Sequence, residues 1–99
     1  MAKPLPLKGN DERTLPASLE SERAVLGAIL LHNEAYETIA SLLAPQDFFR
    51  VAHQRVYASM VRILGQPGGA VDLLTLKTDL GRRGELEDVG VAYVTALID

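Results

Sequence analysis

Residues 51–64 read VAHQRVYASMVRIL and form the clearest amphipathic segment of the chain. Apolar and aromatic side chains recur there at intervals of three and four residues, with charged and amide side chains on the opposite side. This spacing predicts a helix that starts near Val51 or Ala52 and buries one stripe of side chains in a core. The stripe comprises His53, Val56, Tyr57, Met60, Val61 and Leu64.

The segment that precedes residue 32 predicts another helix. Ser18 can cap its N-terminus, because a serine oxygen can accept a free backbone N–H of the first turn. Residues 24–31 are apolar on nearly every side, so we expect this helix to be central. Gly27 lies inside it, where glycine costs about 1 kcal/mol relative to alanine. Its presence predicts that a neighbouring helix approaches closely at this point.

Between these two segments the pattern indicates a shorter helix and a turn. Asn33 is the candidate N-cap of the short helix, and Pro45 ends it, because proline lacks the N–H that a helix interior needs. Residues 46–49 follow as a turn that carries two phenylalanines. We expect both phenylalanines to lie in the core.

The C-terminal third predicts two further helices. Asp72 is a suitable N-cap for a helix over residues 73–83, and Gly84 suits the position just after its end. Residues 85–90 are expected to connect this helix to a last one over residues 91–99. Sustained alternation with a period of two, the mark of a strand, is absent from the sequence. The fold class predicted is all-α, a small orthogonal bundle of about five helices.

Composition bounds the class of protein. With 99 residues the chain has room for one domain and is too short for a nucleotide-driven motor. Apolar residues make up 47% of the sequence, more than a disordered chain carries. The chain has no cysteine for a disulfide or a thiolate metal site, and its net charge of −3 disfavours a dedicated nucleic-acid binder. Residues 1–14 predict a flexible arm. A secretory signal and a membrane span of about 20 apolar residues are both missing, so we expect a cytoplasmic protein.

Candidate catalytic chemistry is sparse. The loop over residues 65–69 is glycine-rich but lacks the Lys-Ser/Thr pair of a phosphate-binding loop and follows a helix rather than a strand. His32 and His53 have no metal-ligand spacing. We therefore expect no catalytic residue, no cofactor site and no metal site in this chain. His53 is expected to be a buried histidine bonded near the preceding turn, with Asp47 as the suggested partner.

Positive side chains on the amphipathic helix give a candidate binding face. Arg55 and Arg62 are seven residues apart, about 10 Å along one helix side, and Arg50 extends this patch. It is either a solvated charged face or a contact for a partner or nucleic acid. Tyr93, at the start of the last helix, belongs either to the core or to an interface.

Four fragments in order resemble the opening of bacterial replicative DNA helicases of the DnaB family. They read LPASLESERAVLGA (15–28), PQDFFRVAH (45–53), VDLLTL (71–76) and LEDVGVAY (86–93). In the family these positions read roughly PxSxEAExAVLG, PEDFYRxAH, VDxxTL and LExVGGxxY. Two departures lie in loops: the loop over 65–70 is one residue longer, and one glycine beside Gly90 is missing.

This resemblance implies a non-catalytic helical domain over residues 15–99, ending before a helical hairpin and an ATPase domain. In the family such domains build a collar on a hexameric ring, and the collar receives primase. ATP, Mg²⁺ and DNA would then be bound only by the ATPase domain, and this chain would be a monomer or a weak dimer. Glu20, near a helix N-terminus, and Tyr93 are the expected docking residues. The alternatives are a stand-alone helical adaptor, or a weak nucleic-acid-binding module that uses Arg50, Arg55 and Arg62.

Overall fold

The computed structural model describes residues 18–99, which contain helices and connecting turns but no strand. The elements are α1 (Leu19–Leu31), α2 (Ala35–Ala40), a 3₁₀ turn (Pro45–Asp47), α3 (Val51–Leu64), α4 (Leu73–Arg82), α5 (Leu86–Val89) and α6 (Val91–Ala96). The predicted all-α bundle is confirmed, with one more short helix, α5, where a connection was expected. The predicted arm, residues 1–14, lies outside the described residues, and the division at residue 15 stays a prediction.

The centre of the bundle is α3, which packs against α1, the 3₁₀ turn, α4 and α5. His53, Val56, Tyr57 and Met60 on its predicted inward stripe are completely buried. By contrast, α1 buries Leu26 and Ile29 on one side but leaves Leu31 60% exposed. The expectation that α1 is central holds for the side that carries Leu26 and Ile29, but α3 packs against more elements than α1 does.

The turn before α3 separates its two phenylalanines. Phe48 is buried against Tyr57, with ring centroids 5.0 Å apart, whereas Phe49 is 84% exposed. The expectation that both lie in the core holds only for Phe48. Because the backbone is extended at Phe48 (φ −79°, ψ 138°), neighbouring side chains point in opposite directions.

The hydroxyl of Tyr57 donates to the carbonyl of Leu43 at 2.9 Å, and burial raises the pKa of Tyr57 to about 12.

Both ends of α4 follow the sequence prediction. The carboxylate of Asp72 accepts the N–H of Thr75 at 2.8 Å, which satisfies one free donor of the first turn. At the other end, Gly84 has a φ of +70°, which a residue with a Cβ adopts only with strain. Its N–H and that of Glu85 bond back to the carbonyls of Gly81 and Leu80, the Schellman pattern.

Asn33 has a different role from the one expected. The N-cap of α2 is Glu34, without a side-chain cap bond, so the prediction for Asn33 is wrong. The Asn33 amide instead donates to the carbonyls of Ile29 and Val71 and accepts the N–H of Val71 at 2.8 Å. These bonds fasten the connection before α4 to the end of α1.

Within residues 18–99, no helix combines the length and apolarity needed to cross a bilayer.

The close helix approach predicted at Gly27 is confirmed. A Cβ built on Gly27 would lie 2.5 Å from the carbonyl oxygen of Leu97, just beyond the end of α6. A backbone atom cannot move aside as a flexible side chain can, so this separation admits hydrogen and nothing larger. Gly27 therefore sets how closely the C-terminal turn packs on α1.

We expect Gly27→Ala to lower the free energy of unfolding by about 1–3 kcal/mol. Overpacking against Leu97 outweighs the gain of about 1 kcal/mol that alanine brings to a helix interior. Gly81→Ala is the matched control, since a Cβ there meets no atom within 4 Å. Chemical denaturation of both variants measures the difference. Equal stabilisation by the two substitutions would contradict the close approach.

Candidate functional site

A buried carboxylate at the N-terminal end of α1 organises one end of the molecule. The side chain of Glu22 is 1% exposed and accepts the backbone N–H of Phe49 at 2.6 Å and that of Arg50 at 3.4 Å. Its Oε1 lies 2.7 Å from Nδ1 of His53. One carboxylate thus joins α1 to the start of α3 and fixes the backbone on which Phe49 is presented.

His53 extends this network to α6. Its Nε2 lies 2.6 Å from the hydroxyl of Tyr93, and the two rings stack with centroids 5.7 Å apart. The carboxylate of Glu22 gives Nδ1 an acceptor, and Nε2 shares a second hydrogen bond with the Tyr93 hydroxyl, so both ring nitrogens of His53 have a partner. The prediction of a buried, hydrogen-bonded histidine holds. Its suggested partner was wrong, since Asp47 accepts the N–H of Ala44 instead.

The hydrogen-bonded series Glu22, His53 and Tyr93 fixes the positions of the helices that carry these side chains and exposes no reactive group. Glu22 and His53 are both at most 1% exposed, so a substrate has no access to the imidazole. The network instead holds three helices in register. Among residues 18–99, no group of three or more His, Cys, Asp or Glu residues could hold a metal ion.

Tyr93 is half-buried, and two arginines lie against its ring. The guanidinium carbon of Arg50 is 4.5 Å from the ring centroid and that of Arg23 is 5.9 Å away, both within cation–π range. Arg23 also donates to the carbonyl of Ala96 at 2.5 Å. The sequence left open whether Tyr93 belongs to the core or to an interface. Its hydroxyl points inward to His53, and its ring lies against the exposed Arg50.

Glu20 lies on the exposed side of this same end. It is in the first turn of α1, two residues before the buried Glu22, and its side chain is exposed. Apolar side chains are also exposed on the segments that the network joins. They are Leu19 (44% exposed), Phe49 (84%), Val51 (56%) and Val91 (50%). We call these four side chains, with Glu20 and Tyr93, the α1–α6 surface.

The two arginines predicted to share a face are each engaged by a different helix. Arg55 donates to Asp88 of α5 at 3.0 Å, and its Nε lies 3.9 Å from Glu85. Arg62 donates through Nε and Nη2 to Asp79 of α4, at 3.1 and 2.6 Å. Both positive charges are thus compensated within the domain.

Asp79 is the better buried of these acidic partners. Burial alone would raise its pKa, but hydrogen bonds from Arg62 and from Ser59, which donates at 2.6 Å, hold the pKa of Asp79 below its usual value. Ser59 is completely buried, although it is not part of the apolar stripe of α3. Neither Asp79 nor Ser59 was predicted from the sequence as a partner of Arg62.

This lowered pKa gives a pH prediction. A carboxylate with a lower pKa in the folded state stabilises above its unfolded pKa of about 3.9, and that contribution disappears as the pH falls through the folded value. Asp79→Asn should therefore reduce stability at pH near 7 by about 1.5–3 kcal/mol, the range for charged hydrogen bonds. The difference should shrink below a pH of about 4. Thermal unfolding at several pH values measures it; Asp88→Asn, with a 69% exposed carboxylate, is the control. A pH-independent difference would contradict the assignment.

Comparison with known proteins gives consistent matches. The family model described as the DnaB-like helicase N-terminal domain matches residues 14–99. The chain is 40% identical over 89 residues to the replicative DNA helicase DnaB of Geobacillus stearothermophilus, which covers 89% of this chain and 19% of that protein. It is 41% identical over 86 residues to the replicative DNA helicase DnaC of Bacillus subtilis (strain 168), again 19% of that protein. The chain therefore spans about a fifth of the length of these relatives.

A solved structure agrees with the sequence matches. The crystal structure of the N-terminal domain of DnaB helicase from Mycobacterium tuberculosis superposes with a TM-score of 0.78 at 37% sequence identity. The superposition covers 86% of this chain and 59% of that one. The helical arrangement described above is thus shared with a related domain.

Proposed function

Because the chain belongs to the family of DnaB-like helicase N-terminal domains, we propose that it serves assembly of the helicase collar and docking of primase without catalysing a reaction itself. The observation that carries this proposal is the family match over residues 14–99, together with an end of the domain that presents side chains to solvent on a fixed backbone. The activity of the parent protein, an ATP-dependent DNA helicase, belongs to other parts of that protein.

The α1–α6 surface has the composition of a docking site. Phe49 is 84% exposed, yet its backbone N–H is held by the buried Glu22, so a partner that covers the ring has to order the side chain but not the backbone. Glu20 supplies an exposed negative charge in the first turn of α1, which favours a partner with basic side chains. Rigid aromatic anchors ringed by polar groups are typical of interface hot spots.

The positive residues of α3 give less support to a nucleic-acid role. Arg55 and Arg62 each have a carboxylate partner within the domain, and the chain carries a net charge of −3. A phosphate backbone would have to compete with these internal ion pairs. We therefore place any DNA contact of the parent helicase outside this chain and regard protein docking as the function of the exposed surface.

Titration of a primase C-terminal region into isotope-labelled chain tests the docking proposal by NMR. We expect weak binding, with a dissociation constant of about 1 μM or larger, and shifts that cluster around Glu20 and Tyr93. Glu20→Lys should weaken binding by about tenfold, whereas Glu37→Lys, an exposed charge in the first turn of α2, should not. Shifts confined to the region of Arg55 and Arg62, or none at high micromolar concentration, would contradict the proposed surface.

Assembly is tested separately by sedimentation. We expect the 99-residue chain to form monomers or loose dimers, whereas the full-length helicase forms a hexamer. A stable hexamer of this chain alone would show that the domain itself holds the ring together. An ATPase assay on the same sample should give no turnover above a blank without protein.

A further inference from the structure

A second surface lies between the C-terminal turns of α3, the loop that follows them and one side of α4. It is a groove of about 480 Å³. Leu74, Thr78 and Arg82 line it at intervals of four residues and so lie along one side of α4. The residues that face them come from the end of α3 and the loop that follows it. They are Arg62, Ile63, Pro67 and Ala70.

The groove is lined by apolar side chains that do not belong to the hydrophobic core. Leu74 is 73% exposed, whereas Leu76 and Leu80 on the other side of α4 are completely buried. Pro67 and Ala70 are exposed as well. An exposed leucine beside further apolar side chains forms a patch that a partner can cover, with a gain proportional to the apolar area removed from water.

The far end of the groove is positive. Arg82 is exposed in the last turn of α4 and makes no ion pair with any residue in the 18–99 region. Across the groove, Arg62 donates to Asp79, which also lines the groove. The Asp79 carboxylate accepts from Ser59 as well, so its charge is already engaged within the domain. Leu74 and Arg82 are eight residues apart on one helix, which is about 12 Å.

We propose that this groove binds an acidic amphipathic segment of a partner protein, with an apolar side chain against Leu74 and a carboxylate at Arg82. Charge complementarity argues for this occupant, because Arg82, which has no ion-pair partner among residues 18–99, lies beside exposed apolar side chains of the lining. Arginine pairs well with carboxylates through its planar fork of donors. The groove lining contains no aromatic ring on which a base could stack, so a protein segment fits better than single-stranded nucleic acid. This site goes beyond the proposed docking of primase, since it includes neither Glu20 nor Tyr93.

Selection from a displayed library of random peptides about eleven residues long, three helical turns, tests the proposal on the full chain. We expect the selected peptides to carry Asp or Glu together with a large apolar residue two helical turns away. Leu74→Asp and Arg82→Glu should each raise the dissociation constant of a synthesised selected peptide by about tenfold or more. Both side chains are exposed, so circular dichroism and the thermal midpoint should confirm that the variants stay folded.

Two matched controls make the result specific. Leu42→Asp changes a leucine of equal exposure, 74%, outside the groove, and Lys77→Glu reverses a positive charge on α4 that does not line it. Neither should weaken binding. Selection of no peptide, of peptides without acidic residues, or of peptides that bind Leu74→Asp as well as the wild type would overturn the proposal. Binding of labelled single-stranded DNA that is lost in Arg82→Glu would assign the groove to nucleic acid instead.

Discussion

Glu22→Ala is expected to lower the free energy of unfolding by about 3–5 kcal/mol, because each buried donor that loses its acceptor costs about 1–3 kcal/mol. The substitution leaves the buried imidazole of His53 and the part-buried N–H groups of Phe49 and Arg50 without their acceptor. A marginally stable domain has about 5–15 kcal/mol in total. We therefore expect a large loss of folded protein at physiological temperature, measurable by denaturant titration.

Two variants separate the network from a general effect of charge on α1. Glu20→Ala removes an exposed carboxylate one half-turn away and should change stability by less than about 0.5 kcal/mol. Glu22→Gln keeps the shape and an accepting oxygen, and His53 can take the other tautomer, so it should cost less than Glu22→Ala. If Glu20→Ala and Glu22→Ala shifted the midpoint equally, the buried network would not be the source of the stability.

Leu26→Ala is expected to cost about 2–5 kcal/mol. Leu26 is completely buried among the core residues of α1 and α3, so the smaller side chain leaves a cavity as well as losing apolar contact. Leu31→Ala on the same helix is the control, because Leu31 is 60% exposed and its truncation opens no cavity. A thermal midpoint shift of only a degree or two for Leu26→Ala would place α1 at the periphery of the core.

Much of the fold could be predicted because local signals decide it. The caps at Ser18 and Asp72, the inward stripe of α3 and the terminating Gly84 each depend on residues within one or two turns, and all are found as expected. Helix α5 escaped prediction because four residues are too few to show a period. The role of Asn33 escaped it because its bonds reach Val71, 38 residues away.

The same reasoning explains what was missed at the candidate site. Glu22 stands in the first turn of α1, where the helix N-terminus favours an acidic residue in any case, yet its spacing from Leu26 and Ile29, four and seven residues, places it on the buried face. That signal was present in the sequence. Its partners His53 and Tyr93 could not be inferred, because they are 31 and 71 residues further along, and pattern within a helix carries no information about which distant side chain faces it.

The way α6 is held in place bears on the order in which the chain folds. Six residues are too few for a helix that persists on its own in water. Its fastenings are the bond from Tyr93 to His53, across 40 residues, and the bond from Arg23 to the carbonyl of Ala96, across 73. Closing such long loops costs entropy before any contact compensates for it. We therefore expect α6, which also packs against α4 and α5, to dock onto α1 and α3 late in folding, so that the α1–α6 surface forms after the helices that carry it.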